Sequence, residues 1–177
     1  MGVEESWPSR VAAVLGWPPP NVIATTSWTC RELLKGIESA GPKGPRDAVT
    51  VQVGVNDQYR GHPLGEFAGD YAAVLAEAVR LAGSPGRVTA ISIPDWSVTP
   101  HAADRDREAV AADIDRFNEA SRRAAVDLGA AWVDVTASSR LAAGDPSLLA
   151  ADGLHPSGAM YRVWAGLLAP AIRQAAG

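Results

Sequence analysis

Short runs rich in valine, isoleucine and alanine alternate with long segments of helical spacing, and this alternation constrains the fold more than any other feature of the sequence. The clearest runs are residues 48–53, 88–93 and 130–135. Between them, residues 64–81 and 107–128 repeat apolar side chains at the spacing of one helix face. Strands joined through helices of this length pair in parallel, with right-handed crossovers. The alternation therefore predicts a three-layer α/β/α sandwich around a parallel sheet.

The segments outside this central pattern extend it at both ends. The further predicted elements are a helix over residues 4–15, a short strand over 22–24, a helix capped by Thr29 that runs to about residue 37, and a last helix that Ser157 caps. Residues 96–106 and 137–151 show neither period, so we expect them to be irregular. With 177 residues, of which 47% are hydrophobic, the chain is long enough for one domain with a sizeable core. We therefore expect residues 1–177 to form a single domain.

Composition and charge exclude several classes of partner. The formal net charge is −4 and the basic residues are scattered, so we expect no nucleic-acid partner. No segment approaches the roughly twenty apolar residues that a membrane-spanning helix needs, and the first residues are acidic where a signal peptide is basic. The lone cysteine, Cys30, fits a reducing compartment. We expect a cytoplasmic protein with no membrane partner; an export signal upstream of residue 1 and the oligomeric state stay open.

Two polar blocks stand where an open α/β sheet places its chemistry. Asn56 closely follows the apolar run 48–53, so it should lie just past the carboxyl end of a buried strand. Near the end of the chain, Asp152 precedes His155 by three residues, and Pro156 restricts the histidine to an extended backbone. An aspartate so placed can hold Nδ1 of the imidazole and leave Nε2 to act as a general base. Together the two blocks indicate hydrolysis by acyl transfer.

Each block also has a plainer interpretation. Asn-Asp after a strand is ordinary turn chemistry, a role that we assign to Asp57, and a surface loop is the simpler expectation for His62. Asp152 can open a turn while His155 lies near the start of the last helix. A third interpretation makes Asp152 and His155 metal ligands, but the sequence offers no recognisable third or fourth ligand. We therefore expect no metal site.

The Asn56 block, followed by a late Asp-x-x-His block, resembles the SGNH, or GDSL-like, esterase and lipase family over nearly the whole chain. The resemblance implies a site in which His155 is the general base, Asp152 orients it, and Asn56 supplies an oxyanion-hole amide. It also implies a second oxyanion donor, a backbone N–H after the second strand, which falls on Ser27. A left-handed backbone there would strain a residue other than glycine by roughly 1 to 3 kcal/mol. Chemistry of this kind needs no cofactor.

The nucleophile of that family lies in a Gly-Asp-Ser block at the end of the first strand, and the sequence contains no such block. It also contains no Gly-x-Ser-x-Gly elbow. Ser27 and Cys30 are the nearest replacements, yet neither is predicted on a sharp strand-to-helix turn. We therefore expect the first strand and its serine to lie upstream of residue 1, which would leave the domain incomplete at its N-terminus.

These inferences predict a serine esterase that cleaves small carboxylic esters, acetyl esters among them. The substrate is expected to contact Trp28, Tyr59 and Trp96. The loop over residues 94–101 is expected either to select it or to form a rigid cover. The alternative, from another class, is a catalytically inactive module that binds a small ester or sugar in the same pocket. The missing nucleophile favours binding alone, whereas the joint presence of the two polar blocks favours catalysis.

Overall fold

A small parallel sheet lies at the centre of the protein. The computed structural model describes residues 5–177. The strands of the sheet are β1 (Val49–Val51), β2 (Val88–Ile91) and β3 (Ala131–Val133). They are ordered β1-β2-β3, and both neighbouring pairs are parallel. The predicted α/β class and the parallel pairing are confirmed.

Helices connect the strands and cover both faces of the sheet. The α-helices are α1 (Trp7–Leu15), α2 (Cys30–Ala40), α3 (Val55–Tyr59), α4 (Leu64–Ala82), α5 (Arg107–Leu128), α6 (Thr136–Ser139) and α7 (Gly158–Ala176). Two predicted caps are confirmed. Thr29 forms a capping box with Glu32 at the start of α2, and the Ser157 hydroxyl accepts the first free N–H groups of α7.

The core is divided by the sheet into two halves, which makes the three layers. One half contains Phe67, Tyr71 and Phe117 from α4 and α5, packed against Ala90 of β2. The other half contains side chains of α1 and α7, packed against Ile91 of β2. Successive residues of a strand point to opposite faces of the sheet. The adjacent residues 90 and 91 therefore belong to different halves.

Some predicted elements differ from the structure. Residues 22–24 form no regular secondary structure, and Val22 is 56% exposed. A β-branched run becomes a strand only beside a partner that satisfies its backbone groups, so this prediction was wrong for lack of a neighbour. The predicted first helix begins at Trp7, and residue 4, where we expected it to start, lies outside the described residues.

The segments that we expected to be irregular contain short helices. Single 3-10 turns occur at Trp96–Val98 and Pro100–Ala102, and α6 is followed by further turns of the same kind. In one of these turns, Asp95 accepts a hydrogen bond from the Ser97 N–H at 2.8 Å. Such short turns depend on capping contacts rather than on apolar periodicity, which explains why the sequence pattern did not indicate them. No helix within residues 5–177 has the length and apolar character needed to span a membrane.

Candidate active site

The sharp turn between β1 and α3 brings Asn56 to the carboxyl edge of the sheet. Gly54 has φ +120°, and a Cβ there would lie 2.8 Å from the Phe67 ring. Only glycine fits both the backbone conformation and the space. The chain therefore turns at Gly54, three residues after the end of β1, and enters α3 at Val55, which places Asn56 in the first turn of that helix.

The Asn56 side chain is fixed by a contact with the segment that precedes α2. Its Nδ2 donates a hydrogen bond to the carbonyl oxygen of Trp28 at 2.9 Å. A primary amide carries two N–H donors. The bond to Trp28 uses one of them and orients the group, which leaves the second N–H for another acceptor.

Ser27 adopts a left-handed backbone conformation, which strains a residue other than glycine. Its φ is +70°, and it is the only residue other than glycine within residues 5–177 with a positive φ. Its carbonyl oxygen accepts a hydrogen bond from Nη2 of Arg60 at 2.6 Å. The hydrogen bonds of residues 5–177 leave the Ser27 N–H without an acceptor. Strain of this kind is commonly found at functional sites.

Asp152 and His155 form a compact unit in the loop before α7. Oδ1 of Asp152 accepts the backbone N–H groups of Leu154 at 3.0 Å and His155 at 2.9 Å. Oδ2 lies 2.8 Å from Nδ1 of His155. The hydrogen bonds from the Leu154 N–H and the His155 N–H, and then that from the His155 ring, lower the pKa of Asp152 to about 2. The aspartate is therefore ionised at neutral pH.

The charge of Asp152 determines which tautomer of His155 is favoured. An ionised carboxylate only accepts hydrogen bonds, so in the neutral imidazole Nδ1 carries the proton and Nε2 has the lone pair. The imidazole is 57% exposed and the carboxylate 52% exposed. This arrangement suits a general base. The turn interpretation of Asp152 also holds, because the same carboxylate closes the turn and orients the ring.

The Asp152 loop packs against the segment that follows β2. Gly153 has φ +68°, and a Cβ there would lie 3.5 Å from Cγ of Pro100. The loop is closed at its base by a hydrogen bond of 2.7 Å from the Ala150 N–H to the His155 carbonyl. His101 follows Pro100, and its ring centroid lies 5.9 Å from that of Tyr59. Aromatic side chains therefore link the loop to α3.

Two of the three predicted substrate-contacting residues lie together, and the third is separate. The rings of Tyr59 and Trp96 meet edge to face at 5.3 Å. Tyr59 is 47% exposed, whereas Trp96 is buried. Trp28 packs on α2, where a Cβ at Gly36 would lie within 2.1 Å of its ring. Trp28 also lines a groove of 680 Å³ between residues 21–24 and α2.

The sequence did not indicate the contacts that three polar residues of α3 and its end make. Gln58 is buried; its Oε1 accepts from Nε1 of Trp96 and its Nε2 donates to Asp113, both at 2.9 Å. Asp57 is buried too, and its Oδ2 accepts the Cys30 N–H at 3.0 Å. The assignment of Asp57 to a turn was wrong, since it joins two helices. Arg60, which contacts Ser27, is the third. Only the density of polar residues after an apolar strand could have indicated these roles.

Two other expectations concern Cys30 and His62. Burial raises the pKa of the Cys30 thiol, and the nearby Asp57 carboxylate raises it further, so this thiol stays neutral and unreactive. His62 is half-exposed at the end of α3, with Nδ1 3.4 Å from Oδ1 of Asp57. Among the hydrogen bonds of residues 5–177, none joins Ser27 or Cys30 to His155. The same residues contain no group of three or more His, Cys, Asp or Glu side chains able to hold a metal ion.

Comparisons with known proteins identify relatives of this arrangement. Residues 2–163 match the sequence profile of the GDSL-like Lipase/Acylhydrolase family. No curated protein sequence matches the chain.

Several solved structures share the fold at low sequence identity. LAE5, an alpha/beta hydrolase enzyme from the metagenome of Lake Arreo, Spain, is 19% identical with a TM-score of 0.72, over 97% of this chain and 83% of its own. The acetyl xylan esterase AlAXEase is 17% identical with a TM-score of 0.72, over 96% and 91%. TesA is 16% identical with a TM-score of 0.71, over 99% and 91%. At these identities the likeness establishes the fold.

Proposed function

Because the chain belongs to the GDSL-like lipase/acylhydrolase family, we propose that it is a serine esterase that hydrolyses small carboxylic esters, acetyl esters among them. The observation that carries the proposal is the Asp152–His155 unit. Its 2.8 Å contact engages Nδ1 and leaves Nε2 free of this carboxylate, available to a nucleophile. A histidine held in this way has the tautomer that a general base requires.

The proposed reaction follows acyl transfer through a covalent intermediate. Nε2 of His155 takes the proton of a serine hydroxyl while the serine oxygen attacks the ester carbonyl. Negative charge then develops on the former carbonyl oxygen, which accepts hydrogen bonds from the free Nδ2–H of Asn56 and the Ser27 N–H. The imidazolium returns the proton to the leaving alcohol. In the second half-reaction the same histidine takes a proton from water, whose oxygen attacks the acyl carbon. The bond to the serine oxygen then breaks, the imidazolium returns the proton to that oxygen, and the acid leaves.

We place the serine upstream of residue 1, on a strand that pairs with the free edge of β1. The observation that supports this location is that β1 pairs only with β2 within the described sheet, and its Thr50 is exposed. A parallel strand at that edge would satisfy the backbone groups of β1. Its carboxyl end would lie at the same edge of the sheet as Asn56.

The proposed contacts to the substrate differ among the three aromatic residues. Tyr59 presents the exposed ring and lies on the same short helix as Asn56, so it is the one we assign to the mouth of the pocket. Buried Trp96 donates a hydrogen bond to Gln58 and contacts the Tyr59 ring edge to face. Trp28 contributes through its carbonyl, which orients the Asn56 amide. The leaving alcohol is expected to pass along Tyr59.

A binding module without catalysis is the second candidate. The observation that favours it is the state of the two replacement nucleophiles. Cys30 is buried with a raised pKa, and the Ser27 contact to α3 is made by its backbone carbonyl. If no serine completes the site, the pocket can hold a small ester or sugar without turning it over.

The test compares hydrolysis of p-nitrophenyl acetate by the 177-residue protein and by a form extended to the nearest upstream start codon. Each form is measured beside its His155→Ala variant and an Asp145→Asn control, which replaces an exposed carboxylate that caps a different turn. Activity in the extended form that disappears with His155 supports the esterase. Labelling with a fluorophosphonate, followed by peptide mass spectrometry, then locates the serine. A label on Ser27 would contradict the upstream position, and failure of both forms to react with either reagent would favour the binding module.

A further inference from the structure

We infer that Arg60 is a positioning residue that holds the Ser27 N–H toward the oxyanion. This inference rests on the proposed function, because it concerns the same oxyanion site. The Arg60 guanidinium makes two contacts. Nη2 donates to the Ser27 carbonyl at 2.6 Å, and Nη1 lies 3.2 Å from Oε2 of Glu32. Arg60 thus bridges the end of α3 to the segment that carries the second proposed oxyanion donor.

Ser27 needs such a hold because its backbone conformation is unfavourable. At φ +70° its Cβ is crowded by the backbone, and residues other than glycine rarely stay there unless their surroundings compel it. Ser27 is exposed, so packing around its side chain does not compel it. The turn that contains it is closed by a long hydrogen bond of 3.3 Å from the Trp28 N–H to the Thr25 carbonyl, and the contact with Arg60, at 2.6 Å, is the shorter of the two constraints. A return to negative φ would rotate the Ser27 N–H relative to the Ser27 carbonyl and turn that N–H away from the site. The guanidinium, bound to the carbonyl of the same residue, opposes that rotation.

The position of Arg60 couples the two proposed donors to one rigid element. Arg60 and Asn56 lie one helical turn apart, and the Arg60 N–H donates to the Asn56 carbonyl at 3.1 Å. Their side chains bind successive carbonyls, those of Ser27 and Trp28. The short helix α3 therefore sets the orientation of both donors together. A shift of α3 would move both of them.

Glu32 anchors the guanidinium from the other side. Its Oε2 accepts the Thr29 N–H at 2.8 Å in the capping box of α2, so the carboxylate that meets Arg60 is itself fixed. The ion pair is half-exposed, with the two side chains 40% and 42% exposed. Exposed pairs contribute little to stability. Loss of Arg60 should therefore change the site more than the fold, with an unfolding midpoint shifted by at most about 3 °C.

The first test follows the Ser27 backbone in the 177-residue protein and needs no activity. The backbone carbon and nitrogen NMR shifts of Ser27 report its φ in the wild type, in Arg60→Ala and in the control Arg31→Ala. Arg31 is another exposed arginine; it lies on α2 and forms an ion pair of 3.1 Å with Asp70 of α4. We expect Arg60→Ala alone to move Ser27 out of the left-handed region. Left-handed shifts that persist in Arg60→Ala would overturn the inference.

The second test uses a double-mutant cycle with Ser27→Gly in the form that hydrolyses p-nitrophenyl acetate. Glycine adopts positive and negative φ about equally, so it needs no hold. The strain at a serine corresponds to roughly a 5- to 150-fold preference for the relaxed backbone. We expect Arg60→Ala to lower kcat by at least about 5-fold with KM nearly unchanged. In the Ser27→Gly background the loss should shrink to about 2-fold.

The outcomes separate this inference from the proposed function. Equal losses of kcat in both backgrounds, or a change confined to KM, would reject the role of Arg60 while the esterase stands. If no form of the protein hydrolyses an ester, the proposed function fails. The NMR shifts of Ser27 then still decide whether Arg60 holds its backbone.

Discussion

Replacing Asp152 with asparagine is the sharpest test of the proposed general base, because the two carboxylate oxygens of Asp152 make separate contacts and asparagine offers only one acceptor oxygen. Oδ1 accepts two backbone N–H groups and Oδ2 accepts the Nδ1–H of His155. Asparagine has a single acceptor oxygen and an N–H₂ group. If the oxygen stays with the backbone, the N–H₂ faces Nδ1 and favours the tautomer that is protonated at Nε2. If the amide is flipped, the N–H₂ meets the two backbone donors and opens the turn.

Either orientation removes the base, and the expected loss of kcat is about 10² to 10³. The same replacement in a buried protease triad costs about 10⁴. We place the effect lower here because the carboxylate is 52% exposed, so solvent screens its charge and can partly replace it. KM should change little, since Asp152 supports the reacting histidine rather than the ester.

The assay is the initial rate of p-nitrophenyl acetate hydrolysis by the active form of the protein, with Asp145→Asn as the matched control. Asp145 also caps a turn, through an Oδ1 that accepts the Ser147 N–H at 3.0 Å. It lies outside the proposed site, and its variant should keep wild-type kcat. A wild-type rate in Asp152→Asn, with the protein folded, would refute the role of Asp152. An equal loss in Asp145→Asn would show that the effect is only a loosened loop.

The remaining predictions concern the oxyanion side, the packing beneath it, and titration. Asn56→Ala should lower kcat by about 10²- to 10³-fold with little change in unfolding midpoint, because it removes one donor to the developing charge; a loss of less than threefold would count against it. Gly36→Ala should destabilise the protein by about 1 to 3 kcal/mol in urea unfolding, because the new methyl meets the Trp28 ring. As the folded pKa of Asp152 is depressed to about 2, its contribution to stability is complete above about pH 4 and is lost as the pH falls toward 2; Asp152→Asn should therefore flatten the acid unfolding curve in that window. Cys30 should resist a disulfide reagent in the native protein and react fully in denaturant.

The parts of the fold that could be predicted are those fixed by local patterns. The apolar periods of α4 and α5 and the β-branched runs around β1 and β2 were visible in the sequence, and they determine the layers. Caps are similarly local, since Thr29 and Ser157 each bind N–H groups within three residues. The Asp152–His155 contact spans the same short distance along the chain. Its geometry could be inferred for that reason.

The missed features depend on contacts between distant residues. Gln58 binds Trp96 across 38 positions, and Arg60 binds Ser27 across 33. No pattern within α3 indicates which of its polar side chains turns inward. The strand predicted at 22–24 failed for the related reason that none of residues 5–177 pairs with it. The propensity of a segment shows which secondary structures it can adopt, and contacts with distant residues determine which of them forms.

The contacts of the general base are local in the sequence and those of the oxyanion donors are long-range, so we expect mutations to affect the two sides of the proposed site differently. The general-base side is a local loop whose hydrogen bonds, from the Ala150–His155 closure to the Asp152–His155 contact, join residues no more than five apart, so it should keep its geometry when α3 is displaced. The oxyanion side depends on α3 remaining seated against the segment before α2, through contacts of Asn56, Asp57 and Arg60. A small displacement at that interface misplaces both proposed donors while leaving the histidine intact. Mutations there should therefore reduce kcat before they reduce stability, since an oxyanion donor acts only when it lies within hydrogen-bonding distance of the developing charge.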